Sequence, residues 1–209
     1  MINTIIIAIA GLIIGIVIGT VIAAVRVMPK YRKLPRVLNS LCGIYVGFFR
    51  GTPIVVQLLV AYYVLLPILG LKIDALFVAI AVFGMNSGAY VSEIMRSGIQ
   101  SVDYGQTEGG RSVGLSYATT MMKIVIPQAI KNILPTLGNE FIVLVKETSV
   151  ASFITVVDIY LAFNLGASNS YEFLIPYFVM ALIYIVLIGI ITILVRLMER
   201  SLKKSDRRN

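Results

Sequence analysis

The sequence predicts an all-α, polytopic membrane protein with about five transmembrane helices, its N-terminus outside and its C-terminus cytoplasmic. Three observations carry this reading. The 209 residues are 58% hydrophobic and only 13% charged, against about 25% charged in soluble domains, and mean hydropathy is +0.93. Apolar runs recur at lengths near the roughly 20 residues that cross a bilayer. Lys and Arg gather on one side of those runs. About five or six helices with their connections fill the chain, so residues 1–209 read as a single transmembrane domain.

The first span is Ile2 to Val25, which contains no charged residue. Its cations follow it, whereas a cleaved secretory signal carries them ahead of a shorter apolar core. A retained helix is therefore expected. Arg26, Lys30, Arg32, Lys33 and Arg36 mark the first cytoplasmic loop. The apolar stretch from Val37 to Leu71 is interrupted at Arg50-Gly51-Thr52-Pro53, where Gly weakens a helix and Pro removes a backbone donor. It reads as a juxtamembrane helix, a break, and a span from about Ile54 to Leu69.

A short outer connection, Gly70 to Asp74, precedes a third span from Ala75 to about Ser97. The region 98–132 holds Arg111, Lys123 and Lys131, with Arg96 just before it, and belongs inside. The fourth span runs from about Leu134 to the late 150s, and Asn164 to Glu172, without Lys or Arg, forms the next outer connection. The last span, about Phe173 to Leu197, ends in Arg196, Arg200, Lys203, Lys204, Arg207 and Arg208. Inside groups of five, four and six cations face one outside, Lys72, as the positive-inside rule requires.

A net charge of +8 raises nucleic acid as a partner, but the cations flank apolar runs instead of lining an aromatic-studded face. Membrane-flanking charge accounts for them, and no nucleic acid is expected. The single cysteine, Cys42, precludes an internal disulfide, and the lack of histidine removes any histidine metal site. No cofactor or metal is expected on this chain.

Between Gln100 and Lys123 the sequence is polar and punctuated by Gly105, Gly109, Gly110 and Gly114, residues that permit tight turns. Val102 to Ser112 is expected to form a short helix. Glu108-Gly109-Gly110, Gly114, Ile124 and Pro127 then recur at a fixed spacing. Further marked stretches are Arg50 through Leu58, Asn86 through Ser101, Gly138 through Phe141, and Lys146 through Ser152.

These residues resemble the permease subunits of polar amino-acid uptake ABC importers, the group serving histidine, glutamine, glutamate, arginine and opines. The Glu108 to Pro127 spacing resembles their EAA coupling loop, with Glu-Gly-Gly here in place of Glu-Ala-Ala. The resemblance implies the type I ABC-importer permease fold. It also implies that a helix around Glu108 docks into a cytoplasmic ABC ATPase dimer, with Gly105, Glu108, Gly109, Gly110 and Gly114 as the coupling residues. ATP and Mg then belong to that partner, because this chain has no G-x-x-x-x-G-K-[ST] phosphate loop. Other implied partners are a second permease subunit, identical or similar, an extracytoplasmic solute-binding protein, an amino-acid substrate and membrane lipid.

Ionisable residues inside spans are costly and mark function. With the fourth segment as one continuous helix, the steps from Glu140 to Glu147 and from Glu147 to Asp158 each fall within about 20° of whole turns. The three acids then share one stripe, and Lys146 points elsewhere. On the third span Asn86, Tyr90, Glu93 and Ser97 form a second polar face. Paired, the faces predict a substrate pocket made from Glu140, Asp158, Asn86, Ser87, Tyr90, Glu147 and Glu93. Its acidity favours a cationic amino acid. Glu93 and Arg96, at i and i+3, also fit a structural ion pair.

Two other classes fit parts of the sequence. A secondary carrier uses intramembrane carboxylates, but predicts inverted repeats with matched broken helices, which are not evident. A channel or structural subunit leaves the Glu108 loop without a purpose. Co-purification with an ATPase discriminates among the three.

Overall fold

The computed structural model describes residues 1–28 and 33–206, with side chains described through Leu202. All regular elements among them are helical. Helix α1 is Ile2–Val27 and α2 is Lys33–Gly51. Helix α3, Ile54–Ile68, follows a break at Thr52 and Pro53 and lies at 103° to α2. Helix α4 is Ala75–Gln100, and the short α5 is Tyr104–Ser112. Helix α6 runs over residues 117–147, α7 is Ile159–Ser170, and α8 is Leu174–Asp206.

By length and apolarity α1, α4 and α8 can each cross a membrane, and the bent pairs α2 with α3 and α6 with α7 bring the number to five. This meets the expected count. Lys30, Arg32, Arg207 and Arg208, used above to assign sidedness, lie outside the described residues, as do the side chains of Lys203 and Lys204.

Helix α4 is the hub. Of its most apolar stretch 61% is buried, against 33% for α1 and 6% for α8, so α8 lies at the edge of the bundle. The close approach of α1 and α4 comes from reciprocal glycines. A β-carbon at Gly15 would stand 2.6 Å from Ser87 Oγ, and one at Gly19 2.7 Å from Val91 Cγ1, while Gly84 and Gly88 receive Ile14 and Ile18 of α1. Small residues four apart let helix backbones meet in a bilayer, where hydrophobicity gives helices no preference for one another over lipid. Gly84 and Gly88 thus serve packing, and Gly11, Gly15 and Gly19 form the matching stripe on α1.

Two π-helical stretches, Val60–Leu65 and Met121–Val125, each run directly into a helical segment with proline in its first turn, Pro67 and Pro127. Proline lacks an N–H and clashes with the carbonyl four residues back. Widening the preceding turn relieves the clash and keeps the helix going.

One expectation is overturned. The fourth segment is not a continuous helix to the late 150s: α6 ends at Glu147, a 3-10 stretch covers Thr148–Ile154, and Thr155 adopts the left-handed region at φ 69°. Asp158 then starts α7, its carboxylate accepting from Leu161 N at 2.8 Å. The stripe shared by Glu140, Glu147 and Asp158 therefore does not form. Most of the expected outer connection, 164–172, lies in α7 instead, which ends at left-handed Tyr171.

Candidate functional site

The break between α2 and α3 leaves the last backbone carbonyls of α2 without helical partners. Two amides satisfy them. Gln57 Nε2 donates to Phe49 O (3.0 Å), Thr52 O (3.1 Å) and Thr52 Oγ1 (2.8 Å). Asn86 Nδ2 donates to Phe49 O and to Gln57 Oε1, both at 3.1 Å. Both side chains are buried, so the broken end of α2 is fixed against α4.

Beside this scaffold lies a cavity of about 330 Å³, lined by Arg50, Gly51, Thr52, Pro53, Ile54, Asn86, Tyr90 and Glu147. The Arg50 guanidinium carbon sits 5.2 Å from the centroid of the Tyr90 ring, a cation–π distance. Glu140, about two turns before Glu147 on the same face of α6, accepts from Ser87 Oγ at 3.3 Å and lies within electrostatic reach of Glu147 and Arg50. Two carboxylates, one guanidinium, an amide, a hydroxyl and an aromatic ring therefore converge at the junction of α2, α3, α4 and α6. Such groups can hold a small polar, charged molecule.

Of the seven residues expected here, Asn86, Tyr90 and Glu147 line the cavity, and Ser87 and Glu140 adjoin it. Glu93 is engaged elsewhere: its Oε1 accepts from Arg26 at the end of α1, and its Oε2 accepts from Arg96 Nε at 3.0 Å and Nη2 at 2.6 Å. Asp158 is fully buried at the start of α7 and caps that helix. Sequence reasoning had assigned Arg50 no site role, and passed over Gln57. A charged residue at a Gly-Thr-Pro break inside an apolar stretch was the signal for the first.

The Glu108 region is a separate structure. Asp103 caps α5 by accepting from Gly105 N at 2.6 Å. The helix ends in a Schellman turn in which Leu115 N donates to Gly110 O (3.1 Å) and Gly114 N donates to Arg111 O (3.0 Å). Gly114 has φ +83°, where a side chain would be strained. The observed start, Tyr104, is two residues later than expected because Asp103 supplies the cap. Glu108, Gly109 and Arg111 are exposed on one side, while Gly110 is buried against Thr120 at the root of α6. Gln128 Nε2 donates to Gln106 Oε1 at 3.2 Å, tying α5 to α6 again.

Residues 11–204 match the family described as binding-protein-dependent transport system inner membrane component. An arginine transport system permease protein of Bacillus subtilis is 40% identical over 167 residues, covering 79% of this chain and 76% of its own. A putative glutamine transport system permease protein of Rickettsia bellii is 35% identical, covering 80% and 77%. An L-cystine transport system permease protein of Bacillus subtilis is 36% identical, covering 81% and 72%. Among solved structures, an amino acid ABC transporter crystallised with histidines superposes with a TM-score of 0.89 at 38% identity, covering 96% of this chain and 91% of that one. The MetNI methionine ABC transporter, inward facing, shares the fold at TM-score 0.79 and 16% identity, covering 96% and 93%. With a family match across nearly its whole length and relatives above one-third identity, this multi-pass membrane protein belongs to the binding-protein-dependent transport system inner membrane components.

Proposed function

We propose that the chain is the permease subunit of an ATP-driven ABC importer for polar, cationic amino acids, arginine, lysine or histidine. The observation that carries the substrate class is the presence of two carboxylates, Glu140 and Glu147, around one cavity that has the single guanidinium of Arg50 in its lining. Relatives named for arginine, glutamine and cystine transport support an amino-acid cargo. Glutamine is the second reading, favoured by the amide and hydroxyl groups of Asn86 and Ser87.

In this reading α5 docks on a cytoplasmic ABC ATPase dimer through Glu108 and its exposed face, and ATP and Mg reside on that partner. The mechanical link is α6. Thr120, against which α5 packs, and Glu147, in the cavity wall, belong to one helical run, about 40 Å from end to end. A push on α5 is thereby delivered to the cavity without passing through a loop. A second permease subunit, identical or similar, supplies the second coupling helix, and an extracytoplasmic binding protein delivers the amino acid.

The test is uptake by the reconstituted complex of permease, ATPase and binding protein, screened over the common amino acids. Preference for arginine, lysine or histidine is expected. A preference for glutamate removes the cationic assignment. Glu108→Lys combined with Gly114→Asp is expected to leave ATP hydrolysis running while uptake stops, and unchanged transport by that variant removes the coupling role.

A further inference from the structure

Arg50 and Glu147 present an unusual arrangement for opposite charges sharing one cavity: they do not pair. Among the described residues no carboxylate lies within ion-pair distance of Arg50, and Glu147 takes part in no hydrogen bond or ion pair. The separation is built into the backbone. Arg50 ends α2 and Glu147 ends α6, and the Gln57 and Asn86 hydrogen bonds pin the α2 end in place. The guanidinium carbon lies over the Tyr90 ring at 5.2 Å from its centroid, a cation–π contact that uses none of the N–H donors in hydrogen bonding.

A guanidinium and a carboxylate that share one cavity lining without forming an ion pair, the carboxylate having Lys146 as its charged neighbour, are complementary to a ligand that carries both charges itself. An α-amino acid is such a molecule, with its carboxylate and ammonium on one carbon. The cavity of about 330 Å³ lies at the small end of ligand sites, about 300–1,000 Å³. The guanidinium fork donates two parallel hydrogen bonds to a carboxylate.

Resting on the assignment of this cavity to an amino acid, we propose that Arg50 binds the α-carboxylate of the cargo, opposite Glu147 at the α-ammonium, with Glu140 left to read the side chain. Arg50 is then the residue that demands an amino acid, whatever its side chain, and rejects a decarboxylated or amidated one. Tyr90 is a positioning residue that acts through Arg50.

The test is calorimetric binding to the purified permease–ATPase complex. The twenty common amino acids are titrated first, then the carboxamide of each that binds, L-argininamide and L-glutaminamide included. In the unsubstituted complex each carboxamide is expected to bind about 10- to 100-fold more weakly than its acid, the span of one charge-assisted interaction. Arg50→Gln brings the acid down to the carboxamide's level and leaves the carboxamide unchanged. Arg50→Lys restores part of the difference, and Tyr90→Leu erodes it while Tyr90→Phe keeps it. Unchanged carboxamide binding is also the control that the variant is folded. An acid preference that survives Arg50→Gln overturns the role of Arg50 alone. If none of the twenty binds, the amino-acid reading of the cavity falls and this one with it.

Discussion

Gly110 and Thr120 are packed so closely that a β-carbon on residue 110 would stand 2.7 Å from Thr120 Cγ2 and 2.8 Å from its Oγ1. This contact joins α5 to the root of α6, and it gives a reason for the second glycine of Glu108-Gly109-Gly110. Thr120 is fully buried and β-branched, so it has little freedom to step aside. Gly110→Ala should therefore loosen the joint, by about 1–3 kcal/mol as for other overpacked sites, and lower the ratio of uptake to ATP hydrolysis several-fold. With Thr120→Ala the nearest atom becomes Cβ at 3.3 Å, and the double variant should recover most of that ratio. Equal loss in the single and double variants would remove this contact from the coupling path.

Gly109 makes the contrast. A β-carbon there meets nothing within 4 Å, and the residue lies on the exposed side of α5. Gly109→Ala should stiffen the helix by up to about 1 kcal/mol, read as slower amide exchange across 104–112. Coupling should be unchanged or improved.

Uniform apolar runs made α1, α4 and α8 readable, because nothing but a helix closes all backbone hydrogen bonds in lipid. The end of α6 was not readable in the same way. Val150 to Val157 is mostly apolar, uncharged and without Gly or Pro, so hydropathy carries straight through a turn that depends on left-handed Thr155. The cue was local and present: an Asp immediately before Ile159, in the N-cap position. Site residues divide along the same line. Asn86, Tyr90 and Glu147 were found from polarity within spans. The neutralisation of Glu93 by Arg26, 67 positions away, was hidden from any local pattern, as was the meeting of Arg50 with Tyr90.

Asp158 offers a direct check on how the acids divide. It is fully buried, and one carboxylate oxygen accepts from Leu161 N. The adjacent Ile159 N donates to Thr4 Oγ1 at 3.3 Å, tying the start of α7 to α1. Asp158→Ala is expected to cost about 1 kcal/mol through the lost cap, lowering the melting temperature of the purified complex, while Asp158→Asn keeps most of it. The rank order of amino acids transported should be the same in both. A changed order would return Asp158 to the substrate site.

Glu93 joins α1 to α4 through Arg26 and Arg96, with side chains 18%, 21% and 31% exposed respectively. At that exposure solvent and salt screen the charges, so the network is worth less than a fully buried one. Removing the acid, however, leaves two guanidinium groups facing each other without a counter-charge. Glu93→Gln should destabilise the permease by about 1 kcal/mol, with substrate affinity unaltered because Glu93 lies outside the cavity lining. Two further measurements separate charge from packing. The stability gap between Glu93→Gln and the unsubstituted chain should narrow between 0.05 and 1 M salt, where the screening length falls to about 3 Å. Arg26→Gln added to Glu93→Gln should cost less than the sum of the two single changes, because the second removes a cation that has already lost its partner. A gap that is independent of salt, with additive single changes, would assign the role of Glu93 to packing rather than to charge.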